Sequence, residues 1–168
     1  MDEIKKLAHS LSKIPLFYGM NDEELETILS ICKPDAFKDD DIIFNENDPS
    51  HSMYIILSGE VDITSFKAGL IFTLRSGDIF GEIGLITQQT RSASAIAQSS
   101  CKLFHIEHTD FNFLLGRHPR ISAILMKNIS SSLANHLIRM NNVTLEHVPQ
   151  PVEKVTPEES QILSNDPK

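Results

Sequence analysis

No apolar run in this 168-residue chain approaches the roughly 20 residues a helix needs to cross a bilayer; the longest, such as Met53 to Leu57, are strand-sized. A membrane span is excluded on that count. Positive charge is also scarce: 15 Lys and Arg stand against 23 Asp and Glu, a net charge of −8, so the chain as a whole repels phosphate backbones. Any anionic ligand then needs a local, sheltered positive site. Cysteine is limited to Cys32 and Cys101, far apart in sequence, and the start Met1-Asp2-Glu3-Ile4-Lys5-Lys6 has no apolar stretch like a signal peptide. A reduced, cytoplasmic protein is the expectation.

Residue sets that carry catalysis or bind metals are missing too. His105 and His108 have no nearby cysteine to complete a ligand set, and Asp39-Asp40-Asp41 reads as a solvated turn because calcium needs a longer ligand-bearing loop. No serine sits in a nucleophile elbow and no paired catalytic carboxylates stand out. The expectation is a non-enzymatic protein with no cofactor.

What remains, 40% apolar and 23% charged residues, is the composition of one globular domain. Asn21-Asp22-Glu23-Glu24 places a capping side chain three residues before a carboxylate, so a helix should start there. Leu25, Ile28, Leu29 and Ile31 lie on one face, and Lys33-Pro34 is expected to end it. Upstream, Leu7, Leu11, Ile14, Leu16 and Phe17 suggest another short helix. From Ala36 to Glu107 the pattern changes to short β-rich runs between turn signals, the spacing of a sandwich or barrel. A helical period returns at Phe111, Leu114 and Leu115.

From Pro119 a long helix is predicted to about Asn141. Its stripe Ile121, Leu125, Ile129, Leu133, Leu137 and Met140 leaves Ile124, Ala134 and Ile138 outside, a second apolar surface suited to another chain. Residues 143–168 hold four of the eight prolines and five acidic residues and read as a disordered tail. The domain reading is therefore 1–142 folded and 143–168 tail.

The informative stretch is Phe80 to Ala95. Gly81 and Gly84 bracket Glu82, and Arg91 follows nine residues after the glutamate among small residues. A helical turn starting near Glu82 would direct unpaired N–H groups at an anion, and Arg91 could clamp two phosphate oxygens. An ionised Glu82 suits a hydroxyl donor such as a ribose 2′-OH. The residues alone leave a second reading open, in which an Arg–Glu pair staples a loop and the glycines serve only turns.

This stretch resembles the phosphate-binding cassette of the cyclic nucleotide-binding domain family, the module of catabolite activator proteins, regulatory subunits of cAMP-dependent protein kinase and cyclic-nucleotide-gated channels. Ile14-Pro15-Leu16-Phe17, Asn21 to Leu29, Glu46-Asn47-Asp48-Pro49, Tyr54 to Val61, Gly77-Asp78 and the long terminal helix extend the resemblance over residues 14–141. It implies a mainly β fold with flanking helices, a jelly-roll-like double-stranded β-helix followed by a long C-terminal helix. It further implies that Arg91, Ser92, Ala93 and Gly81 hold the cyclic phosphate and Glu82 the 2′-hydroxyl, with Arg139, Met140 and Asn141 near the base. Asn47 stands where the family has glycine, a small change because asparagine tolerates the left-handed region.

The implied ligand is cAMP; Ser92 would also accept from a guanine amino group, which keeps cGMP open. The implied function is a sensor that shifts its terminal helix on binding and regulates an unidentified effector protein, with a homodimer through that helix as a further partner expectation. Direct nucleic-acid binding is not expected, because residues 143–168 are too short and acidic for a helix-turn-helix. The alternative is a β-roll scaffold for protein contacts without ligand.

Overall fold

A computed structural model describes residues 2–146, with side chains described for residues 7–141. The chain opens with α1 (Asp2–Leu11), a 3-10 turn (Pro15–Phe17) and α2 (Asp22–Leu29). The predicted capping box at the start of α2 is complete: Asn21 Oδ1 accepts from the Glu24 N–H at 3.0 Å and Glu24 Oε2 accepts from the Asn21 N–H at 2.9 Å. Arg120 from the far end of the chain bonds the same Glu24, tying the helix start to the terminal helix.

The end of α2 differs from expectation. The helix stops at Leu29, and Ile31 and Cys32 turn tightly through N–H bonds to Ile28 and Leu29 carbonyls. Lys33-Pro34 thus opens a strand instead of closing a helix. Among the described residues that strand, β1 (Lys33–Phe37), pairs with one neighbour and stands at the sheet edge, where a proline without an N–H is tolerated.

Seven further strands follow: β2 (Ile42–Phe44), β3 (Ser52–Ser58), β4 (Glu60–Ser65), β5 (Gly69–Arg75), β6 (Ile79–Phe80), β7 (Ser94–Ala97) and β8 (Cys101–Glu107). They form two four-stranded sheets, ordered β1-β8-β3-β6 and β2-β7-β4-β5, antiparallel throughout. This is the expected β-roll. Alternation along β3 and β8 sends Ile56 and Leu103 into one buried cluster with Val61, Leu74, Phe80 and Ala95, the interior of the roll. Met53, Ile55, Phe104 and Ile106 point the other way and pack with Leu11, Phe17, Leu25, Ile28 and Leu125 from the helices.

Between β6 and β7 lies the short helix α3 (Glu82–Thr87); α4 (His108–Arg117) and α5 (Pro119–Glu146) close the described chain. The proline is at the first position of α5, where its missing N–H breaks no bond. Ile121, Leu125 and Ile129 are fully buried, whereas Leu137 is 61% and Ile138 57% exposed, so one half of α5 belongs to the core and the other leaves it. The helix runs through Glu146, past the expected boundary at 142, so residues 143–146 belong to α5. Residues 147–168, the rest of the expected tail, lie outside the described residues.

The β3–β4 connection turns on Gly59, whose φ of +92° is left-handed. A Cβ there would lie 2.6 Å from the Ser100 carbonyl oxygen and 2.8 Å from Cys101 Sγ. Gly59→Ala should therefore destabilise the fold by about 2–4 kcal/mol, combining left-handed strain with overpacking; urea denaturation measures it, and a loss below about 0.5 kcal/mol would contradict the close approach.

Candidate functional site

The site is built around Arg91, which precedes β7 and is 5% exposed. Its backbone is clasped by the turn Asn45 to Asp48: the Asn47 N–H donates to the Arg91 carbonyl and the Arg91 N–H donates to the Asp48 carbonyl, both at 2.9 Å. Asn47 adopts φ of +71° to make this turn, the left-handed conformation anticipated for it. Asp48 Oδ2 in turn accepts from the Asn45 N–H at 2.8 Å. Two segments more than forty residues apart are thereby locked in register.

The side chain is held as firmly. β2–β7 pairing sets Phe44 opposite Ala95, and the Arg91 guanidinium lies 4.0 Å over the Phe44 ring centroid. Phe44, Tyr54 and Phe80 form an aromatic group, with Tyr54 stacked on Phe80 at 5.0 Å. A desolvated cation over an aromatic face gains about 2 kcal/mol. Nη1 donates to the Gly81 carbonyl at 3.1 Å and Nη2 to Ser52 Oγ at 3.4 Å, while Nε is buried with no partner among the described residues. Burial still pulls the guanidinium below its ordinary pKa.

Gly81 initiates α3 at φ of +76°, and a Cβ on it would meet Arg91 Nη1 at 2.5 Å. Its lack of a side chain lets the guanidinium reach the Gly81 carbonyl. The next residue, Glu82, is 3% exposed. Burial pushes its carboxyl from the ordinary 4.5 up to about 7, opposed by its own backbone N–H and by the field of Arg91. No ion pair joins Glu82 to Arg91; the guanidinium spends its hydrogen bonds on Gly81 and Ser52. The loop-stapling Arg–Glu pair is thus not what the chain builds.

Both residues line a cavity of about 340 Å³, within the roughly 300–1,000 Å³ typical of small-molecule sites. Gly81, Ser92, Ala93 and Met140 line it as well, so six of the eight residues singled out in the sequence come together. Arg139 and Asn141 do not. At about 100° per residue, neighbours of Met140 point away from the cavity: Arg139 lines an adjoining groove with Tyr18, Asp78 and Asn128, which shares His136 with the cavity, and Asn141 is exposed.

The α5 residues that do reach the cavity are Leu133, His136, Leu137 and Met140, the helical spacing that Met140 alone could have disclosed. Phe44, Phe72 and Ser52 escaped the sequence reading because sheet pairing alone brings them to Arg91 and its surroundings. His105 bonds Asp35 at 2.6 Å and His108 bonds Asn112 at 2.8 Å, and among the described residues no group of acidic, His or Cys side chains could hold a metal. Cys32 and Cys101 are free thiols, and no described helix is long and apolar enough to cross a membrane.

The Glu82 carboxyl makes stability pH-dependent with a definite sign. Held near 7 against an ordinary 4.5, it binds its proton more tightly in the folded protein than in the unfolded chain. Stability is then highest below the unfolded value, falls as pH rises through that window and levels off above it. The loss amounts to about 3 kcal/mol at about 1.4 kcal/mol per pKa unit. Glu82→Gln should stabilise the protein at about pH 8 and leave it unchanged at about pH 4.5; thermal unfolding of both proteins at the two pH values checks this, and a pH-independent difference would count against it.

Comparison with known proteins agrees with this architecture. The family model for the cyclic nucleotide-binding domain matches residues 34–118, which is 85 of the 168 residues. A glutaminase 1 from Bradyrhizobium diazoefficiens is 32% identical over 131 residues, covering 78% of this chain and 21% of the relative. A cAMP-dependent protein kinase regulatory subunit from Hypocrea atroviridis is 33% identical over 107 residues, covering 63% of this chain and 23% of the relative. The chain thus spans under a quarter of the length of either. A crystal structure of a cyclic nucleotide-binding domain from Methylobacillus flagellatus superposes with a TM-score of 0.76 at 22% identity, covering 90% of this chain and 88% of that one, a likeness of fold. With the β-roll, the two sheets and the matched span together, the chain belongs to the cyclic nucleotide-binding domain family.

Proposed function

We propose that this chain is a cAMP sensor: the cavity beneath α5 takes the nucleotide, and the change in α5 on binding regulates a partner protein. The observation that carries this reading is Arg91. A buried guanidinium with an unpaired Nε, at the wall of a cavity in a chain of net charge −8, is a sheltered cation suited to one anion. Gly81, Ser92 and Ala93 surround the same phosphate position, and Glu82 lies within reach of a sugar hydroxyl. The base then falls against Met140 and its α5 neighbours. The apolar wall of Phe72, Ile63, Leu133 and Leu137 suits a flat heterocycle. That a relative at 33% identity is a regulatory subunit of a cAMP-dependent kinase supports cAMP as ligand.

The reading is non-catalytic and cytoplasmic. Among the described residues the cavity lining presents binding groups and no nucleophile hydrogen-bonded to a base. Regulation follows from population shift, which requires the nucleotide to bind one position of α5 better than another. The exposed half of α5, with Ile138 uncovered, is the surface offered to an effector or a second copy.

A cyclic mononucleotide of roughly 22 heavy atoms at about 0.3 kcal/mol each gains about 7 kcal/mol, a dissociation constant near ten micromolar. Arg91→Ala should weaken cAMP binding by about 2–5 kcal/mol, since it leaves the phosphate buried and unpaired. Titration calorimetry decides it: equal affinity in the variant rejects the site. Thermal shift with cAMP, cGMP and cyclic dinucleotides in parallel ranks the ligands, and no shift with any of them favours a ligand-free scaffold.

A further inference from the structure

Among the described side chains, His136 is the one polar group that α5 contributes to the cavity, between Leu133, Leu137 and Met140. Its ring is fixed by stacking on Phe72, with centroids 5.1 Å apart and planes 28° from parallel. That orientation brings Nδ1 to 3.8 Å from Glu82 Oε1, with the two side chains 12% and 3% exposed. Such a gap is too long for a hydrogen bond and too short to hold an atom on the line between them, yet a hydroxyl oxygen about 2 Å to one side of that line lies about 2.8 Å from each atom. A hydroxyl can donate to the carboxylate and accept from an imidazole N–H at once. Arg91 does not compete for this position, because its bonded nitrogens face Gly81 and Ser52.

The surroundings set the ring to donate. Burial lowers the His136 pKa, and Arg139 on the same helix adds to this while Asp78, in the turn before β6, opposes it. Above about pH 7, where Glu82 is ionised, a neutral imidazole beside the carboxylate keeps its proton on the nitrogen that faces it, here Nδ1.

We propose that His136 is a specificity-determining residue of this site: with Glu82 it brackets the ribose 2′-hydroxyl, Glu82 accepting from the hydroxyl and His136 donating to it. The inference rests on the cyclic nucleotide reading above and deepens it. A hydroxyl read from both sides makes its loss costlier than one read by a carboxylate alone, since the deoxy ligand leaves two buried polar groups unpaired.

The test is titration of cAMP and 2′-deoxy-cAMP against the wild type, His136→Phe and His136→Gln. His136→Phe keeps an aromatic ring on Phe72 and removes the donor; it should lower cAMP affinity about tenfold with little change for the deoxy nucleotide, so the hydroxyl preference contracts by that factor. His136→Gln, which retains a donor, should keep more of the preference than His136→Phe. Equal losses for both ligands in His136→Phe, or an unchanged preference, overturn the proposal. Nitrogen NMR of the labelled wild type needs no variant: the His136 Nδ1 resonance should move with cAMP and much less with 2′-deoxy-cAMP, and equal movements overturn the proposal. Wild-type protein that binds neither nucleotide defeats the cyclic nucleotide reading itself, an outcome distinct from binding with an unchanged preference.

Discussion

A buried guanidinium without a salt bridge is the constraint around which this molecule is organised. Taking Arg91 out of water is unfavourable, and no carboxylate pairs with it directly; the offset comes from the Phe44 face, the Gly81 carbonyl and Ser52 Oγ. Each of these arrives from a different strand or turn. β2 supplies Phe44, β3 supplies Ser52, the residue after β6 supplies Gly81, and the turn before β3 clasps the Arg91 backbone. The guanidinium can sit there only if the roll closes with this register, so the fold and the burial of Arg91 specify one another.

Glu82 is the counterpart. Its carboxyl is as buried as the guanidinium, is left out of hydrogen bonding with it, and is pushed up to about 7 by burial. Cation and carboxyl are thus kept side by side but separately available, an arrangement that costs folding stability and suits recognition of an anion and a hydroxyl on one ligand. In the proposed reading the ligand completes what the chain leaves unsatisfied.

Local signals carried furthest from sequence. The capping box of α2 was legible because Asn21 and Glu24 lie three residues apart and satisfy one another. The Phe80 to Ala95 stretch was legible because its glycines, carboxylate and arginine sit within sixteen residues. Helix ends read less well. Ile31 looked helical by periodicity, but tight turns at Ile28 and Leu29 had already redirected the chain, and α5 continues through residues whose composition suggested a tail. The α5 contribution failed through phase: Arg139 and Asn141 flank Met140 in sequence and point elsewhere on the helix, whereas His136 and Leu137 share its face. Phe44, Ser52 and Phe72 had no local signal, because strand pairing alone makes them neighbours of the site.

Helix α5 is packed into the core at one end and extends from it at the other, the geometry of a lever that gains displacement towards its tip. Ile121, Leu125 and Ile129 form a buried fulcrum, with Asn128 bonding the Leu16 and Tyr18 carbonyls beside it. Beyond Ile129 the helix runs to Glu146, about 25 Å at 1.5 Å per residue, so a tilt of about 10° at the fulcrum carries its end about 4 Å. Leu133 and His136 sit on this arm nearer the fulcrum, and Met140 nearer the tip. In the proposed reading, a displacement smaller than an atomic diameter at Leu133 or His136 would be magnified along the shaft, so that helix length more than the size of the movement in the pocket would set how far its end travels.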